Sequence, residues 1–242
     1  MKDIEKLQKL IDQSQKIVFF GGAGVSTESG IPDFRSVDGL YNQQFDYPPE
    51  TILSHSFFMR HRAEFYRFYQ TKMLYSNIEP NAAHKKLAKL EATGKLAAVI
   101  TQNIDGLHQL AGSKNVLELH GSMLRNRCMS CGKAYGIEAM RGPGVPHCDC
   151  GGVIKPDVVL YEEALDDDTV ERAIAQLRSA DLVIVGGTSL SVYPAAGLLN
   201  HVHGKIVLIN RDATQLDKDA QLVLCAPIGA VFSQIQVGHS LR

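Results

Sequence analysis

Short apolar runs alternate with amphipathic stretches along most of the chain. At the start, Ile4, Leu7 and Leu10 stand at helical spacing, which predicts an amphipathic helix over residues 1–15. Residues 17–20 follow as a continuous apolar run that ends in two glycines, which is typical of a strand buried on both faces of a parallel sheet. Similar runs predict further strands at residues 96–100, 116–119, 158–161, 182–185, 206–209 and 222–224.

Helical patterns separate several of these predicted strands. Residues 82–93 have a helical pattern that ends at Gly94, and residues 169–179 have one that follows an Asp-rich start. Strands that alternate with helices imply parallel pairing with right-handed crossovers. The sequence therefore predicts an α/β fold built on a doubly wound, Rossmann-like parallel sheet.

Two stretches interrupt the alternation, and we interpret both as insertions. Residues 39–80 are rich in aromatic side chains and helical in character, while residues 126–153 hold pairs of cysteines separated by Gly and Pro. We expect the helical insertion and the cysteine-containing insertion to form one smaller domain together. The large Rossmann-like domain would then comprise residues 1–38, 81–125 and 154–242.

Four of the five cysteines fall in one short stretch, in two closely spaced pairs. Four thiolates that meet one tetrahedral ion form a closed, structural zinc site. The second pair is one residue shorter than the usual Cys-x-x-Cys spacing, and His147 beside it is an alternative ligand. The predicted zinc ligands are Cys128, Cys131, Cys148 and Cys150. Cys225 lies in an apolar run, and its sequence context favours packing over reactivity.

Polar clusters follow five of the predicted strands. They are GGAGVS after residues 17–20, TQNIDGLH after 96–100, HG after 116–119, GGTSL after 182–185 and NR after 206–209. Ligands of open parallel sheets bind in the crevice at the carboxyl ends of the strands. The five clusters therefore predict a single ligand site.

The glycines after the first strand suit a phosphate group, because Gly22 and Gly24 allow backbone N–H groups to approach a pyrophosphate closely. Thr27 replaces the third glycine of the dehydrogenase fingerprint, and no acidic residue ends a strand about 20 residues later. This departure argues against hydride transfer. Residues 26–36 are rich in functional groups and contain a proline and an aromatic residue, which indicates a segment that covers a ligand.

His120 is the histidine whose position favours catalysis. It ends a predicted strand and precedes Gly121, so its ring is expected in the crevice beside Asn103 and Asp105. The unperturbed pKa of histidine, about 6.5, suits proton abstraction near neutral pH.

With these motifs assembled, the sequence resembles the sirtuins, the NAD-dependent protein lysine deacylases, in their compact bacterial form. The resemblance runs from about residue 16 to the C-terminus. It is carried, in this order, by GAGVSTESGIPDFRS (22–36), TQNIDGLH (101–108), ELHG (118–121), the cysteine pairs, GTSL (187–190) and VYPAA (192–196).

The resemblance implies an NAD-dependent lysine deacetylase that consumes NAD as a co-substrate and releases nicotinamide and O-acetyl-ADP-ribose. It implies that His120 is the general base, assisted by Asn103, and that Val159 and Val192 line the channel for the acyl-lysine. An acyl-lysine peptide would bind as an added strand between the two domains. The implied NAD-binding residues are Gly22, Ala23, Gly24, Thr27, Phe34, Arg35, Gln102, Asn103, Ile104, Asp105, Gly187, Thr188, Ser189, Asn210 and Cys225.

Two positions depart from the family pattern. Many relatives carry Phe-Gly-Glu where this chain has Tyr161-Glu162-Glu163, so a carboxylate replaces glycine beside the expected peptide cleft, and we expect an altered peptide preference. Members that prefer acidic acyl chains carry a Tyr-x-x-Arg pair, whereas the nearest match here is Tyr69-x-x-Lys72. Lysine lacks the planar fork of arginine, which favours acetyl-lysine as the substrate.

Two alternative functions would use the same NAD site. A mono-ADP-ribosyltransferase would pass ADP-ribose to an acceptor, and a non-catalytic module would bind NAD without releasing nicotinamide. The net charge of −1 gives no indication of a nucleic-acid or membrane partner. The N-terminus lacks the pattern of a signal peptide, so we expect a cytoplasmic protein, and a monomer is favoured.

Overall fold

The computed structural model describes residues 2–34, 39 and 46–238. The strands are β1 (Ile17–Gly21), β2 (Leu96–Thr101), β3 (Val116–Glu118), β4 (Gly121–Cys128), β5 (Ala134–Tyr135), β6 (Ile154–Val158), β7 (Leu182–Gly186), β8 (Lys205–Asn210) and β9 (Leu222–Cys225). The α-helices are α1 (Lys2–Gln13), α2 (Pro49–Ile52), α3 (His55–Arg60), α4 (Arg62–Lys72), α5 (Ala82–Ala92), α6 (Leu107–Leu110), α7 (Asp167–Ser179) and α8 (Ile228–Gln234). In the part of the chain that the structure describes, no helix is long and apolar enough to cross a membrane.

Six strands form a parallel sheet in the order β3-β2-β1-β7-β8-β9. This order is that of the doubly wound dinucleotide-binding fold, in which the chain reverses direction across the sheet at its first strand. The reversal lies between β1 and β7, so the loops after these two strands open on either side of a crevice. The predicted α/β fold with a Rossmann-like sheet is confirmed.

Alternating faces of these strands supply two hydrophobic cores. Ile17 and Phe19 of β1 pack on one face with α1, α5 and α8, while Val18 and Phe20 pack on the other face with α7. Burial on both faces explains why the strands are continuous apolar runs rather than alternating ones.

The two insertions share a third core. The antiparallel sheet β5-β4-β6 packs with α2, α3 and α4 through residues such as Phe58, Tyr66, Met140 and Ile154. Tyr66 also donates its hydroxyl to the Ile154 carbonyl at 2.6 Å. The small sheet begins at residue 121 and ends at 158, beyond the predicted limits of 126–153. The exact division into domains stays a prediction.

The apolar run at residues 158–161 does not form the strand of the large sheet that its pattern predicted. Val158 is the last residue of β6, where it pairs with Gly121 of β4 in the small sheet. Val158 and Leu160 are buried in the core of the insertions, which accounts for their apolar character without a place in the parallel sheet. Tyr161 forms an isolated parallel bridge with Ser54.

Two histidine rings are buried against each other behind the parallel sheet. The centroids of His84 on α5 and His108 on α6 lie 4.7 Å apart, and His108 also lies 6.0 Å from the ring of Phe19. Burial lowers the pKa of His84 to about 4 and that of His108 to about 3, each from 6.5. Both rings are therefore neutral at physiological pH.

The buried histidine pair should make the protein less stable in acid. The unfolded chain takes up protons below pH 6.5, whereas the folded rings resist protonation, so stability is lost as the pH falls from 6.5 towards 4. A single ring accounts for up to about 3 kcal/mol of this loss. We expect His108→Leu to lose less unfolding free energy than the wild type between pH 6.5 and 4.5 in urea titrations. The exposed His203, replaced in the same way, serves as the control, and equal pH dependence of all three proteins would contradict the assignment.

Candidate functional site: a crevice at the carboxyl ends of the parallel strands

The loops after the parallel strands surround one cavity of about 420 Å³. Most of the site residues predicted from the sequence line it. They are Ala23, Gly24, Thr27, Phe34, Gln102, Asn103, Ile104, Asp105, His120, Val159, Gly187, Thr188, Ser189, Val192 and Asn210. Gly22 and Cys225 do not line the cavity, and Arg35 lies outside the described residues.

Glycines bring the loops after β1 and β7 into backbone contact. The Gly24 N–H donates to the Gly187 carbonyl at 2.8 Å. A Cβ atom on Gly24 would lie 2.8 Å from the Gly187 Cα, and one on Gly22 would lie 2.9 Å from the Thr188 Cβ. Gly22 does not line the cavity, but its lack of a side chain allows Thr188 of the neighbouring loop to lie close to it. The close approach leaves backbone, rather than side chains, at the switch point where a pyrophosphate is expected.

Asn210 at the end of β8 holds the loop after β7. Its Oδ1 accepts from the Thr188 N–H at 3.0 Å, and its Nδ2 donates to the Thr188 carbonyl at 3.0 Å. Thr188 Oγ1 in turn donates to Gln102 Oε1 at 3.3 Å, whereas the buried Gln102 Nε2 has no partner among the described residues. An unsatisfied buried donor at a cavity wall favours a polar ligand that accepts from it.

Ser26 connects the loop after β1 to the loop after β2. Asn103 Nδ2 donates to Ser26 Oγ at 3.0 Å, and Ser26 Oγ donates to Asp105 Oδ2 at 2.6 Å. Burial raises the pKa of Asp105, and the hydrogen bonds from Ser26 and from the Leu107 N–H act in the opposite direction. Sequence reasoning missed Ser26, although it stands inside the GAGVSTES motif, because the motif does not show which hydroxyl faces the neighbouring loop.

His120 lies between β3 and β4 with its ring in the cavity wall. Its Nδ1 lies 3.0 Å from the Gln102 carbonyl oxygen, which can only accept, so Nδ1 carries the proton and Nε2 is free to act as a base. Burial lowers the pKa of His120, against the effect of this hydrogen bond. The imidazole is thus neutral near pH 7, as a general base requires.

Gly121 allows the chain to turn sharply after His120. Its φ is 74°, and a Cβ atom would lie 2.1 Å from the Asp157 carbonyl oxygen, because β4 and β6 pair at this point. We expect Gly121→Ala to lower the free energy of unfolding by at least about 2 kcal/mol more than the same substitution at a left-handed glycine that lacks such a contact. The reason is that backbone must move to relieve the clash. Chemical denaturation measures the difference.

Gly94 provides the matched control for that substitution. Its φ is 77°, and nothing lies within 4 Å of the position that an added methyl group would occupy. Gly94→Ala therefore carries only the conformational cost of a left-handed alanine, about 1–2 kcal/mol. Equal destabilisation by the two substitutions would show that the close approach at Gly121 has no energetic consequence.

The four clustered cysteines meet in the small domain. Their sulfur atoms lie within 4.8 Å of one another, with Cys128 Sγ 3.5 Å from Cys150 Sγ and Cys131 Sγ 3.6 Å from Cys148 Sγ. Sulfurs that surround zinc tetrahedrally at about 2.3 Å are separated by about 3.8 Å. The donor set and spacing therefore fit one structural zinc ion, and all four positions are protein ligands.

The structure changes the interpretation of two further residues, His147 and Cys225. His147 is not part of the cysteine group, and its Nδ1 lies 2.8 Å from the Val145 carbonyl oxygen, so the geometry favours the Cys-x-Cys pair over His147. Cys225 is exposed at the end of β9, so the expectation that it packs in the core is wrong. It pairs in the sheet with Asn210, which places it next to the cavity rather than in its wall.

The cavity also has lining residues that sequence reasoning did not select. They include Ile31, Tyr75, Met123, Tyr193, Arg211, Asp212 and Thr214. Tyr69 is buried and lines the cavity as well, with a hydroxyl that has no partner among the described residues. Residues 211–214 follow the strand end marked by Asn210, which was the available signal for them.

Known proteins identify the family. The Sir2 family pattern matches residues 22–194, which is most of the chain. An NAD-dependent protein deacetylase of Clostridium acetobutylicum is 56% identical over 238 residues, covering 96% of this chain and 97% of that relative. One of Cutibacterium acnes is 52% identical over 236 residues, with 96% and 97% covered. The protein belongs to the Sir2 family, as the resemblance to the compact bacterial sirtuins indicated.

Solved structures agree with this assignment. A Sir2 complex with a p53 peptide and NAD⁺ has a TM-score of 0.85 at 40% identity and covers 96% of both chains. A Sir2 homologue in complex with NAD has a TM-score of 0.85 at 41% identity, with 95% of this chain and 91% of that chain covered.

Proposed function

We propose that this protein is an NAD-dependent protein lysine deacetylase in which NAD occupies the cavity at the switch point and His120 is the general base. The observation that carries the proposal is that one cavity is lined by His120 and by two members of the glycine cradle (Gly22, Gly24 and Gly187), namely Gly24 and Gly187. NAD supplies an electrophilic ribose carbon. The bond from this carbon to nicotinamide would break as a bond to the acyl oxygen forms. With one water molecule consumed, the products would be nicotinamide, free lysine and O-acetyl-ADP-ribose.

The residues around the cavity fit a dinucleotide. Gly22, Gly24 and Gly187 allow the loops after β1 and β7 to approach each other closely, which leaves backbone rather than side chains beside the expected pyrophosphate. The unsatisfied Gln102 Nε2 provides a donor at the cavity wall. Thr188 and Asn210, which hold each other by two hydrogen bonds, mark the end expected to bind adenosine. The remaining implied NAD contacts, including those of Arg35 and Cys225, stay proposals.

The chain provides a base held in one orientation. Because Nδ1 of His120 donates to the Gln102 carbonyl, Nε2 is the atom that accepts a proton from a ribose hydroxyl. Asn103 Nδ2 donates to Ser26 Oγ, which in turn donates to Asp105, so the loop after β2, which also provides the Gln102 carbonyl beside His120, has a defined arrangement. A preorganised polar wall stabilises developing charge without rearrangement during the reaction.

The acyl-lysine is proposed to enter between the domains. Val159 follows β6 of the small sheet, Val192 follows β7 of the large sheet, and both line the cavity. Apolar side chains on two sides suit the methylene chain of lysine, and a peptide strand lying across them would deliver the acyl group to the cavity.

The proposal is tested by incubating the purified protein with NAD and an acetyl-lysine peptide. We expect nicotinamide release that requires both substrates, together with a loss of one acetyl group in the peptide mass. A gain of the ADP-ribose mass would instead indicate a mono-ADP-ribosyltransferase, and NAD binding without nicotinamide release would indicate an NAD-sensing module. A cytoplasmic location and a monomeric state stay predictions.

A further inference from the structure

We propose that Glu162 determines specificity by favouring substrates that carry a cationic side chain near the acyl-lysine. The inference rests on the proposed function, because it concerns the substrate of the same cavity. It goes beyond an altered peptide preference by assigning the sign of the charge that is selected.

Glu162 lies on the cavity that the acyl-lysine is proposed to enter. It lines the cavity with Val159 and Val192, the two residues proposed to enclose the acyl-lysine. Its segment, residues 159–163, also contacts the residue proposed as the base, because the Val159 N–H donates to the His120 carbonyl at 3.0 Å. A peptide whose acyl-lysine reaches His120 therefore places neighbouring side chains close to this segment.

The carboxylate of Glu162 is held in a defined position. Its Oε2 accepts from the Ser56 N–H at 2.8 Å, and its Oε1 accepts from Ser56 Oγ at 3.0 Å. The backbone of Glu162 has a φ of 76°, an uncommon conformation for a residue other than glycine. The two hydrogen bonds to the first turn of α3 fix the side chain at the rim, so a bound peptide meets a charge that is already oriented.

The negative charge of Glu162 is not matched by a cation, in contrast to that of its neighbour. Glu163 lies 3.1 Å from Lys155 Nζ and 2.8 Å from His55 Nδ1. Glu162 forms no ion pair with any residue in the ranges 2–34, 39 and 46–238, and its contacts with Ser56 are to neutral groups. Because Glu162 is exposed, it remains accessible to a lysine or arginine of the substrate.

The expected preference is modest and sensitive to salt. Exposed ion pairs change an equilibrium by a few fold, which corresponds to roughly a three- to fivefold difference in kcat/KM. The interaction weakens at high ionic strength, because the Debye length falls to about 3 Å at 1 M salt. These two properties distinguish a charge contact from a difference in shape.

The experiment uses acetyl-lysine peptides that differ only in charge. Arginine, glutamine or glutamate is placed in turn at each of the two positions on either side of the acetyl-lysine, and kcat/KM is measured for each peptide with saturating NAD. The quantity compared is the ratio of the arginine peptide to the glutamine peptide within one enzyme variant, since this ratio cancels differences in folding and in overall activity. Deacetylation of the glutamine peptide tests the proposed function independently.

The variants separate the charge of Glu162 from its shape. For the wild type we expect a ratio of about three to five for at least one position, and a ratio near one in 1 M NaCl. Glu162→Gln retains an oxygen that accepts from Ser56 and should bring the ratio to about one, while Glu162→Lys should favour the glutamate peptide. The exposed Glu171 on α7 does not line the cavity, so Glu171→Gln should keep the wild-type ratio. An unchanged ratio in Glu162→Gln, a ratio that persists in 1 M NaCl, or no preference in the wild type would overturn the proposal even if the glutamine peptide is deacetylated.

Discussion

His120→Ala should lower the rate of deacetylation at least about 100-fold, in line with the loss of a general base. The substitution removes the Nε2 atom that would accept the proton, but it leaves the glycine cradle and the Thr188–Asn210 pair in place. We therefore expect a large fall in kcat, with the dissociation constant for NAD changed much less. Steady-state kinetics with an acetyl-lysine peptide and a direct NAD-binding measurement check the two parts.

The exposed His203, which does not line the cavity, is the control for this substitution. His203→Ala should retain the activity of the wild type. Because burial lowers the pKa of His120, the base is neutral at pH 7, and activity should fall only when the pH drops below the ordinary histidine value of about 6.5. Equal turnover by His120→Ala and the wild type would exclude this residue as the base.

Removal of the zinc ion should unfold the small domain. Apparent binding energies of structural zinc sites reach about 10–16 kcal/mol, which exceeds the stability of most domains. Cys128 and Cys148 are also part of the hydrophobic core shared by both insertions, so loss of the site should disturb α2 to α4 as well as the small sheet. We expect Cys131→Ala to purify with little zinc and to lose cooperative unfolding of the small domain. Its activity should fall at least about tenfold, because the predicted lysine channel depends on that domain.

Cys225 offers a matched cysteine outside the cluster. Cys225→Ala should contain about one zinc ion per chain, as the wild type should. The measurement is elemental zinc against protein concentration, combined with circular dichroism during denaturation. An active wild-type preparation without zinc would disprove a structural metal site.

The sequence determined the large sheet because its strands are buried on both faces. The apolar runs at β1, β7 and β8 have little pattern other than continuous hydrophobicity, and this pattern arises from contact with cores on both sides of the sheet. The same pattern gave a wrong strand prediction at residues 158–161, because burial in the core of the insertions produces the same apolar run as burial in a parallel strand. Hydrophobicity records that a segment is buried, but not which partner covers it.

The sequence by itself also determined which residue types gather at the strand ends, since each polar cluster directly follows an apolar run. The tertiary structure alone decided how they interact, because contacts such as Asn103–Ser26–Asp105 join residues far apart in the chain. It likewise decided that Nδ1 of His120 carries the proton, since the Gln102 carbonyl comes from the loop after β2. The anchoring of Glu162 to Ser56 follows from the packing of the small domain, where side chains separated by more than a hundred residues meet.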